Sequence, residues 1–252
     1  NLFYFTGLRF WATERLHGAI IPARGDIIYI SPGFEEEKTR AMLLLGSDVR
    51  TWEEHEDPTT LVGQCFAELS GAQGVLAIDP ATPFFVFDGL RRTMPKVQFI
   101  NGSGMTASCR MHKSDNEIAL IQFAMDLTLE VQKSAARILE PGISTIDVQD
   151  FLTDAHLRLG TDGPPAFRIV LFGEPTAYPH GVPYPQELKE GDMVLIDTGA
   201  TIDGYYSDIT RTYVFGEPTV RQRQVWNLEK AAQAAAFDAA QVGVPAEAVD
   251  RA

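Results

Sequence analysis

Two aspartates stand in a stretch that otherwise favours β-strands. Residues 194–213 read VLIDTGATIDGYYSDITRTY, and the Asp-Gly pair at 203–204 is typical of a hairpin turn. If the loop covers residues 201–204, Asp197 lies directly opposite Asp208. Residues opposed in this way have Cβ atoms about 4.5–5.5 Å apart. Two ionised carboxylates at that distance repel each other unless a proton or a cation lies between them.

A divalent metal ion is the partner that this pair predicts, because carboxylate oxygens suit Mn²⁺, Mg²⁺ and Zn²⁺. Aspartate is also a poor strand former. Two other interpretations remain open at this point. In the first, one aspartate caps a turn and the other is a solvated charge at a sheet edge. In the second, Asp197-Thr198-Gly199 is the triplet of an aspartic protease, although such a protease needs a second triplet and a β-rich chain.

Composition restricts the class of protein. The 252 residues are 45% hydrophobic and 10% aromatic, which predicts a globular protein with a sizeable core. The formal charge of −13 disfavours nucleic acid as a partner, and no apolar run approaches the roughly 20 residues that span a membrane. Cys65 and Cys109 match neither a disulfide framework nor a metal-ligand pattern, which favours a reducing, cytoplasmic compartment.

Residues 1–110 are predicted to form an α/β domain, because strand-like and helix-like segments alternate there. The run at 1–4 is strand-like, and residues 74–78 predict a short buried strand. The remaining predicted elements are helices over 34–45, 58–69 and 84–94 and strands over 27–30 and 97–100.

Residues 111–252 predict a second domain with longer helices. Ser114 and Glu117 have the capping-box spacing that begins a helix, and Pro141-Gly142 ends it. Further predicted elements are a helix over 146–159, strands over 193–198 and 205–215, and an alanine-rich helix over 218–242.

The hairpin resembles the metal-binding hairpin of Xaa-Pro dipeptidases (prolidases) and aminopeptidase P, which share the pita-bread catalytic fold with methionine aminopeptidase. The similarity lies in Asp197-Thr-Gly and in the block GYYSDITRT at 204–212. Five other segments resemble the same family: NLFYFTG at 1–7, MHKSDNEI at 111–118, EPGIS at 140–144, YPHG at 178–181 and EGDMVLID at 190–197.

The resemblance implies a creatinase/prolidase-type α/β domain followed by an α+β pita-bread catalytic domain that is incomplete at its C-terminus. It implies that Asp197 chelates one metal ion, that Asp208 bridges two, and that His180 contacts the substrate beside the scissile carbonyl. The ions would be Mn²⁺, with Co²⁺ or Zn²⁺ as alternatives, and a metal-bridging water would attack the carbonyl. The expected substrate is an Xaa-Pro dipeptide or a short proline-containing peptide, and the expected assembly is a homodimer.

One departure from the family and several alternatives accompany this expectation. The family completes its site with a histidine and two glutamates further along, for which residues 1–252 hold no counterpart. We therefore expect a chain truncated at both ends, whose 252 residues alone lack the remaining ligands. The alternatives are aminopeptidase P, a metal-free creatinase-like hydrolase, and a non-catalytic pita-bread binding module such as a histone chaperone. The paired aspartates count against the last two.

The other histidines carry no motif and are predicted to be structural or surface residues: His17, His55, His112 and His156. The resemblance makes the aromatic and charged loop over residues 9–17, which includes Trp11, a candidate to line the active site of a dimer partner, and a packed surface loop is the alternative.

Overall fold

A computed structural model describes residues 1–10, 13–71 and 73–252, so Trp11 lies outside the described residues. These residues form two compact units, residues 1–112 and residues 113–252. The sequence placed the boundary at residue 110, close to the division at His112.

The first unit alternates helices and strands. Its helices are α1 (Leu2–Thr6), α2 (Glu36–Met42), α3 (Pro58–Ser70), α4 (Phe84–Thr93) and α5 (Ser103–Met111), with a 3₁₀ turn at Gly33–Glu35. Its strands are β1 (Gly18–Ile20), β2 (Ile28–Pro32), β3 (Asp48–Trp52), β4 (Gly74–Ile78) and β5 (Val97–Asn101). Strands β1 and β3 and helix α5 were not predicted from the sequence.

The core of this unit lies against β2, which is buried along its whole length. This strand is antiparallel to β1 and parallel to β3. Trp52 and Phe66 belong to the largest buried cluster of the unit, and the Trp52 indole donates a hydrogen bond to the Leu16 carbonyl at 3.1 Å. Helices that alternate with the strands of a mixed three-stranded sheet and of a separate parallel sheet, β4 with β5, give the α/β architecture that the alternating pattern predicted.

The prediction of a strand at residues 1–4 is wrong, since these residues enter α1. The helix ends at Gly7, whose φ of 75° is left-handed and whose amide donates to the Phe3 carbonyl. The Thr6 hydroxyl also donates to the Leu2 carbonyl. These local hydrogen bonds override the preference of aromatic residues for strands.

The strand at 74–78 is present, but the prediction that it is buried is wrong. Among the described residues β4 pairs with β5 alone, in a two-stranded parallel sheet. Val75 is 55% exposed as a result. A continuous apolar run therefore did not identify a strand covered on both faces.

The second unit places two long helices against an antiparallel sheet. Its helices are α6 (Asp115–Ile138), α7 (Thr145–Arg158), α8 (Val220–Ala239) and α9 (Ala246–Asp250), with a 3₁₀ turn at Glu174–Ala177. Its strands are β6 (Phe167–Phe172), β7 (Met193–Gly199), β8 (Thr201–Ile202), β9 (Tyr205–Tyr206) and β10 (Ile209–Val214), and the main sheet has the order β10-β7-β6.

Helix α6 begins as predicted, with the capping box of Ser114 and Glu117 fully formed. Helix α7 begins with a second capping box, between Ser144 and Asp147. Both helices bury one face against the sheet, in a core that includes Val131, Leu152, Phe172 and Ile196. The opposite face of this sheet carries Asp197, one of the residues predicted to do chemistry.

Helix α8 has no buried residue in this structure, and Trp226 on it is 47% exposed. In the part of the chain that the structure describes, none of the helices has the length and apolar character needed to cross a bilayer.

Candidate metal centre

The hairpin turn is tighter than the sequence analysis assumed. Thr201 pairs with Tyr206 and Ile202 with Tyr205, so the turn consists of Asp203 and Gly204 alone. These two residues have φ angles of 48° and 80°. Positive φ at both central positions defines a two-residue turn of type I′, for which Asp-Gly is a preferred sequence.

The predicted pairing of Asp197 with Asp208 is therefore wrong by two residues. Asp197 lies opposite Thr210, and Thr198 lies opposite Ile209. Because side chains alternate between faces with a period of two, a shift of two residues leaves Asp208 on the face of Asp197. The two aspartates are thus diagonal neighbours, which are typically about 7–8 Å apart, with a somewhat shorter distance between the Cβ atoms. The assumed four-residue loop caused the error, and the face was predicted correctly.

Gly199 allows the two arms of the hairpin to approach each other beside Asp208. A Cβ atom at position 199 would lie 2.0 Å from the Ser207 carbonyl oxygen and 2.9 Å from the Phe167 ring. The Ser207 amide also donates to the Ala200 carbonyl at 3.0 Å. The close approach of the two backbones in the hairpin thus explains why the third residue of the Asp-Thr-Gly triplet is a glycine.

One oxygen of the Asp197 carboxyl group lacks a hydrogen-bond partner. Its Oδ1 atom is buried and has no hydrogen-bond partner among the described residues. Burial raises the pKa of this carboxyl, a hydrogen bond from the Thr210 side chain lowers it, and the negative charge of Asp208 raises it; the net pKa is above the ordinary value. An orphaned oxygen next to a second carboxylate suits a divalent cation, which would satisfy the oxygen and relieve the repulsion.

Asp208 itself is exposed, directly before β10. Within the described residues, no group of three or more histidine, cysteine, aspartate or glutamate side chains is arranged to hold a metal ion. Asp197 and Asp208 share one face of the hairpin as diagonal neighbours, not as the directly opposed pair that the sequence analysis predicted.

His180 lies in a turn on the neighbouring edge of the sheet. The Gly181 amide closes this turn by donating to the Tyr178 carbonyl at 3.0 Å, and Gly181 has a φ of 81°. A Cβ atom at position 181 would lie 3.4 Å from the Leu171 side chain and 4.0 Å from that of Ile169, so the turn lies beside these two side chains. Because Ile169 is paired with Asp197 across β6 and β7, the turn covers the face that carries the aspartates.

The His180 side chain is exposed and lines a cavity of about 270 Å³ at the edge of β6. The same cavity is lined by Gln149, Arg168 and Tyr184, whereas Asp197 and Asp208 do not line it. The structure thus brings the two aspartates together and places His180 at the edge of their sheet.

Sequence analysis missed two polar residues of α6 that contact the hairpin. The Gln132 amide donates to the carbonyls of Ile196 and Ile209, and the Thr128 hydroxyl lies 2.7 Å from that of Ser207. Both residues are buried. The available signal was two polar residues four positions apart on the otherwise apolar face of a helix.

An α/β unit followed by an α+β unit, with two aspartates on one face of a hairpin of the second, defines a two-domain protein with a candidate metal site. Residues 119–252 match the sequence profile of the metallopeptidase family M24, and residues 1–112 match that of the creatinase/prolidase N-terminal domain. The chain belongs to metallopeptidase family M24 and has the pita-bread fold of that family in its second unit.

Individual relatives agree with this assignment. The chain is 33% identical to a probable dipeptidase of Mycobacterium tuberculosis, over 100% of this chain and 67% of that protein. A crystal structure of a prolidase from Thermococcus sibiricus superimposes with a TM-score of 0.88 at 28% identity, covering 98% of this chain and 67% of that one. A dipeptidase from Pyrococcus horikoshii gives a TM-score of 0.86 at 28% identity, covering 99% and 68%. The chain is thus an M24 peptidase, a family whose members act through divalent metal ions.

Proposed function

We propose that the full-length protein is a manganese-dependent dipeptidase that hydrolyses the peptide bond of Xaa-Pro dipeptides. The observation that carries the proposal is the buried, unpartnered Oδ1 of Asp197 beside Asp208. A structural carboxylate would be hydrogen-bonded or solvated, whereas a ligand must keep an oxygen free for its ion.

Asp197 and Asp208 would supply two of the ligands for a pair of divalent cations in the full-length protein, with Mn²⁺ as the proposed ion because it prefers oxygen-rich sites. Such ions supply Lewis-acid chemistry, since they polarise a peptide carbonyl and lower the pKa of water. Thr210 would orient Asp197 through its hydrogen bond to the carboxyl group. Gly199 would keep the backbone before Asp208 close to β7.

His180 would contact the substrate, as the family resemblance implies. Its turn beside Ile169 and Leu171 leaves the side chain exposed, so a ligand can reach it. A neutral imidazole offers one donor and one acceptor, which fits contact with a peptide carbonyl or its tetrahedral intermediate. Similarity to a probable dipeptidase and to a prolidase supports the choice of substrate.

Metal analysis and a peptide assay on the full-length protein test the proposal together. We expect bound Mn²⁺ and hydrolysis of Gly-Pro that disappears on chelation and returns when Mn²⁺ is added. Gly-Pro should be cleaved faster than Gly-Gly, and faster than the tripeptide Gly-Pro-Gly. Preference for the tripeptide would instead indicate an aminopeptidase P, and activity that is indifferent to chelation would contradict the metal site.

The His180→Ala and His112→Ala variants form a matched pair for the substrate role. His112 is exposed and follows α5 in the first unit. We expect His180→Ala to lower kcat/KM for Gly-Pro by about 100-fold, the scale of one lost catalytic contact, while manganese affinity is unchanged. The His112→Ala enzyme should retain the kinetic constants of the wild type, and equal losses in both variants would remove His180 from the site.

We also propose a homodimer in the cytoplasm. Cys65 and Cys109 are both free thiols, and Cys109 is exposed, which suits a reducing compartment. Light scattering on the purified protein measures the oligomeric state, and a monomeric mass would contradict the dimer.

A further inference from the structure

Gln132 lies where one side chain reaches both arms of the metal hairpin. It is 5% exposed on α6, and its amide nitrogen donates to the Ile196 carbonyl at 3.0 Å and to the Ile209 carbonyl at 2.8 Å. Ile196 directly precedes Asp197 on β7, and Ile209 directly follows Asp208 at the start of β10. Each bond therefore fixes the backbone next to a candidate ligand.

The two contacts of Gln132 require the side-chain amide of a glutamine. Both bonding partners are carbonyl oxygens, which only a donor can serve, and an amide NH₂ group supplies two donors on one nitrogen. The Gln132 Oε1 atom is buried and has no hydrogen-bond partner in the described part of the chain. An unpartnered buried oxygen destabilises the fold, so packing alone does not account for an amide here.

Thr128 makes a related contact one helical turn earlier. Its hydroxyl is 0% exposed and lies 2.7 Å from the Ser207 hydroxyl, which accepts a hydrogen bond from the Ala200 amide at 2.8 Å. Ser207 directly precedes Asp208. Thr128 and Gln132, which we call the hairpin clamp, thus contact the residues on both sides of Asp208: the Ser207 side chain and the Ile209 backbone.

We propose that the hairpin clamp positions the metal ligands, with Thr128 and Gln132 of α6 fixing the separation of Asp197 and Asp208. The inference rests on the proposed metal site and extends it to residues that do not touch the ion. Residues that orient ligands in this way typically change metal affinity 10–100-fold when they are replaced. Without the clamp, β7 and β10 would still pair, but the carboxylates would no longer be held at one spacing.

Titration of the metal-free, full-length protein with Mn²⁺ tests the clamp. Gln132→Met keeps the length of the side chain and removes both donors, and we expect its Kd for Mn²⁺ to rise 10–100-fold. Thr128→Val keeps the shape of threonine and removes the hydroxyl, and it should raise Kd about 10-fold. Thr128→Val also decides the question if Gln132→Met does not fold.

Val131→Ala is the matched control. Val131 lies between the clamp residues on the same helix, is 1% exposed, and packs in the core that includes Ile196. The Val131→Ala substitution loosens the packing without removing a hydrogen bond to the hairpin. The Kd of this variant for Mn²⁺ should therefore stay within about twofold of the wild-type value, while urea unfolding shows a loss of stability. If the clamp residues position the metal ligands, their variants lose Mn²⁺ affinity while Val131→Ala loses only stability. If they are purely structural, all the variants lose affinity in proportion to stability.

Two outcomes would overturn the clamp while leaving the metal site intact. One is wild-type Mn²⁺ affinity in both clamp variants, and the other is an equal loss of affinity in Val131→Ala. If the wild-type protein itself bound no divalent ion, both the proposed function and the clamp would fail. The titration of the wild type distinguishes this result from a failure of the clamp alone.

Discussion

The carboxyl group of Asp197 occupies a position that is unfavourable without a cation. Its Oδ1 is buried without a partner, and its pKa is raised by burial and by Asp208 despite the hydrogen bond from Thr210. Sites that bind or react commonly keep such locally unfavourable groups. At the scale of single residues, this carboxyl group lowers the stability of the metal-free hairpin, which is what the proposed role as a metal ligand predicts.

Replacing Asp197 by asparagine should separate stability from metal binding. Without metal, Asp197→Asn removes a partly buried charge beside Asp208, so we expect a higher free energy of unfolding than that of the wild type. Mn²⁺ affinity should fall by more than about 100-fold, beyond the range for residues that only orient ligands. Urea unfolding with chelator and a Mn²⁺ titration measure the two effects.

Asp154→Asn on α7 is the control for this change, because Asp154 is exposed. It should alter the unfolding free energy by less than about 0.5 kcal/mol and leave metal affinity unchanged. A destabilised metal-free Asp197→Asn protein would show that the carboxylate is structural.

Gly199 lies at a position where the backbone leaves room only for glycine. Gly199→Ala places a Cβ atom 2.0 Å from the Ser207 carbonyl oxygen, which belongs to the backbone and cannot rotate away. We expect a loss of about 3 kcal/mol in the free energy of unfolding, as for severe overpacking. Gly163→Ala provides the comparison, since a Cβ there meets no atom within 4 Å, and equal stability of the two variants would contradict the close approach.

At the scale of elements, α7 is joined to α6 and the hairpin by a chain of buried hydrogen bonds. The His156 ring bonds the Leu152 carbonyl through Nδ1 at 2.8 Å, and its Nε2 lies 3.5 Å from the Thr128 hydroxyl. With Nδ1 as the donor, Nε2 of the neutral ring accepts from Thr128, which in turn accepts from Ser207. Burial lowers the pKa of His156, although the bond to Leu152 raises it, so the neutral ring that this chain needs is favoured.

The His156 chain predicts a pH dependence of stability. The pKa of His156 is below its ordinary value of 6.5 in the folded protein, so the unfolded state binds the proton more readily. The contribution of the neutral ring is therefore fully present above about pH 6.5 and is lost as the pH falls toward the lower, folded pKa. Urea unfolding between pH 5 and pH 8 should show the wild type losing stability on acidification relative to His156→Leu.

If the unfolding free energies of the wild type and His156→Leu changed equally with pH, His156 would not be the group responsible. The comparison with His156→Leu is needed because burial also lowers the pKa of His17, to about 4, in the first unit. His17 stays in both proteins, so its contribution cancels in the difference between the curves.

At the scale of the whole molecule, a bound metal ion must stabilise the unit that binds it. An ion that binds the folded state alone adds about 2.7 kcal/mol when its free concentration is 100 times Kd. For a unit of this size, that corresponds to a shift in Tm of about 5–10 °C. Scanning calorimetry at increasing Mn²⁺ should show this shift in the wild type and not in Asp197→Asn, and a Tm independent of Mn²⁺ would argue against the metal site.

Much of the fold follows from local sequence. The capping box at Ser114, the helix stop before Pro141-Gly142 and the Asp203-Gly204 turn are each encoded by residues close to one another, so their patterns predicted α6 and the hairpin. The strand prediction at residues 1–4 failed because the hydrogen bonds that end α1 at Gly7 outweigh the preference of its aromatic residues.

By itself, the sequence determined the hairpin, the shared face of Asp197 and Asp208, and the resemblance to the metallopeptidase family. The structure corrected the register, because a turn of two residues instead of four moves the pairing by two positions, and such an even shift leaves the paired residues on the same face. It also decided the partners of Gln132 and Thr128, which contact β7 and the segment from Ser207 to β10 more than 60 residues along the chain. No local pattern specifies such a contact, since it depends on how α6 packs across the finished sheet.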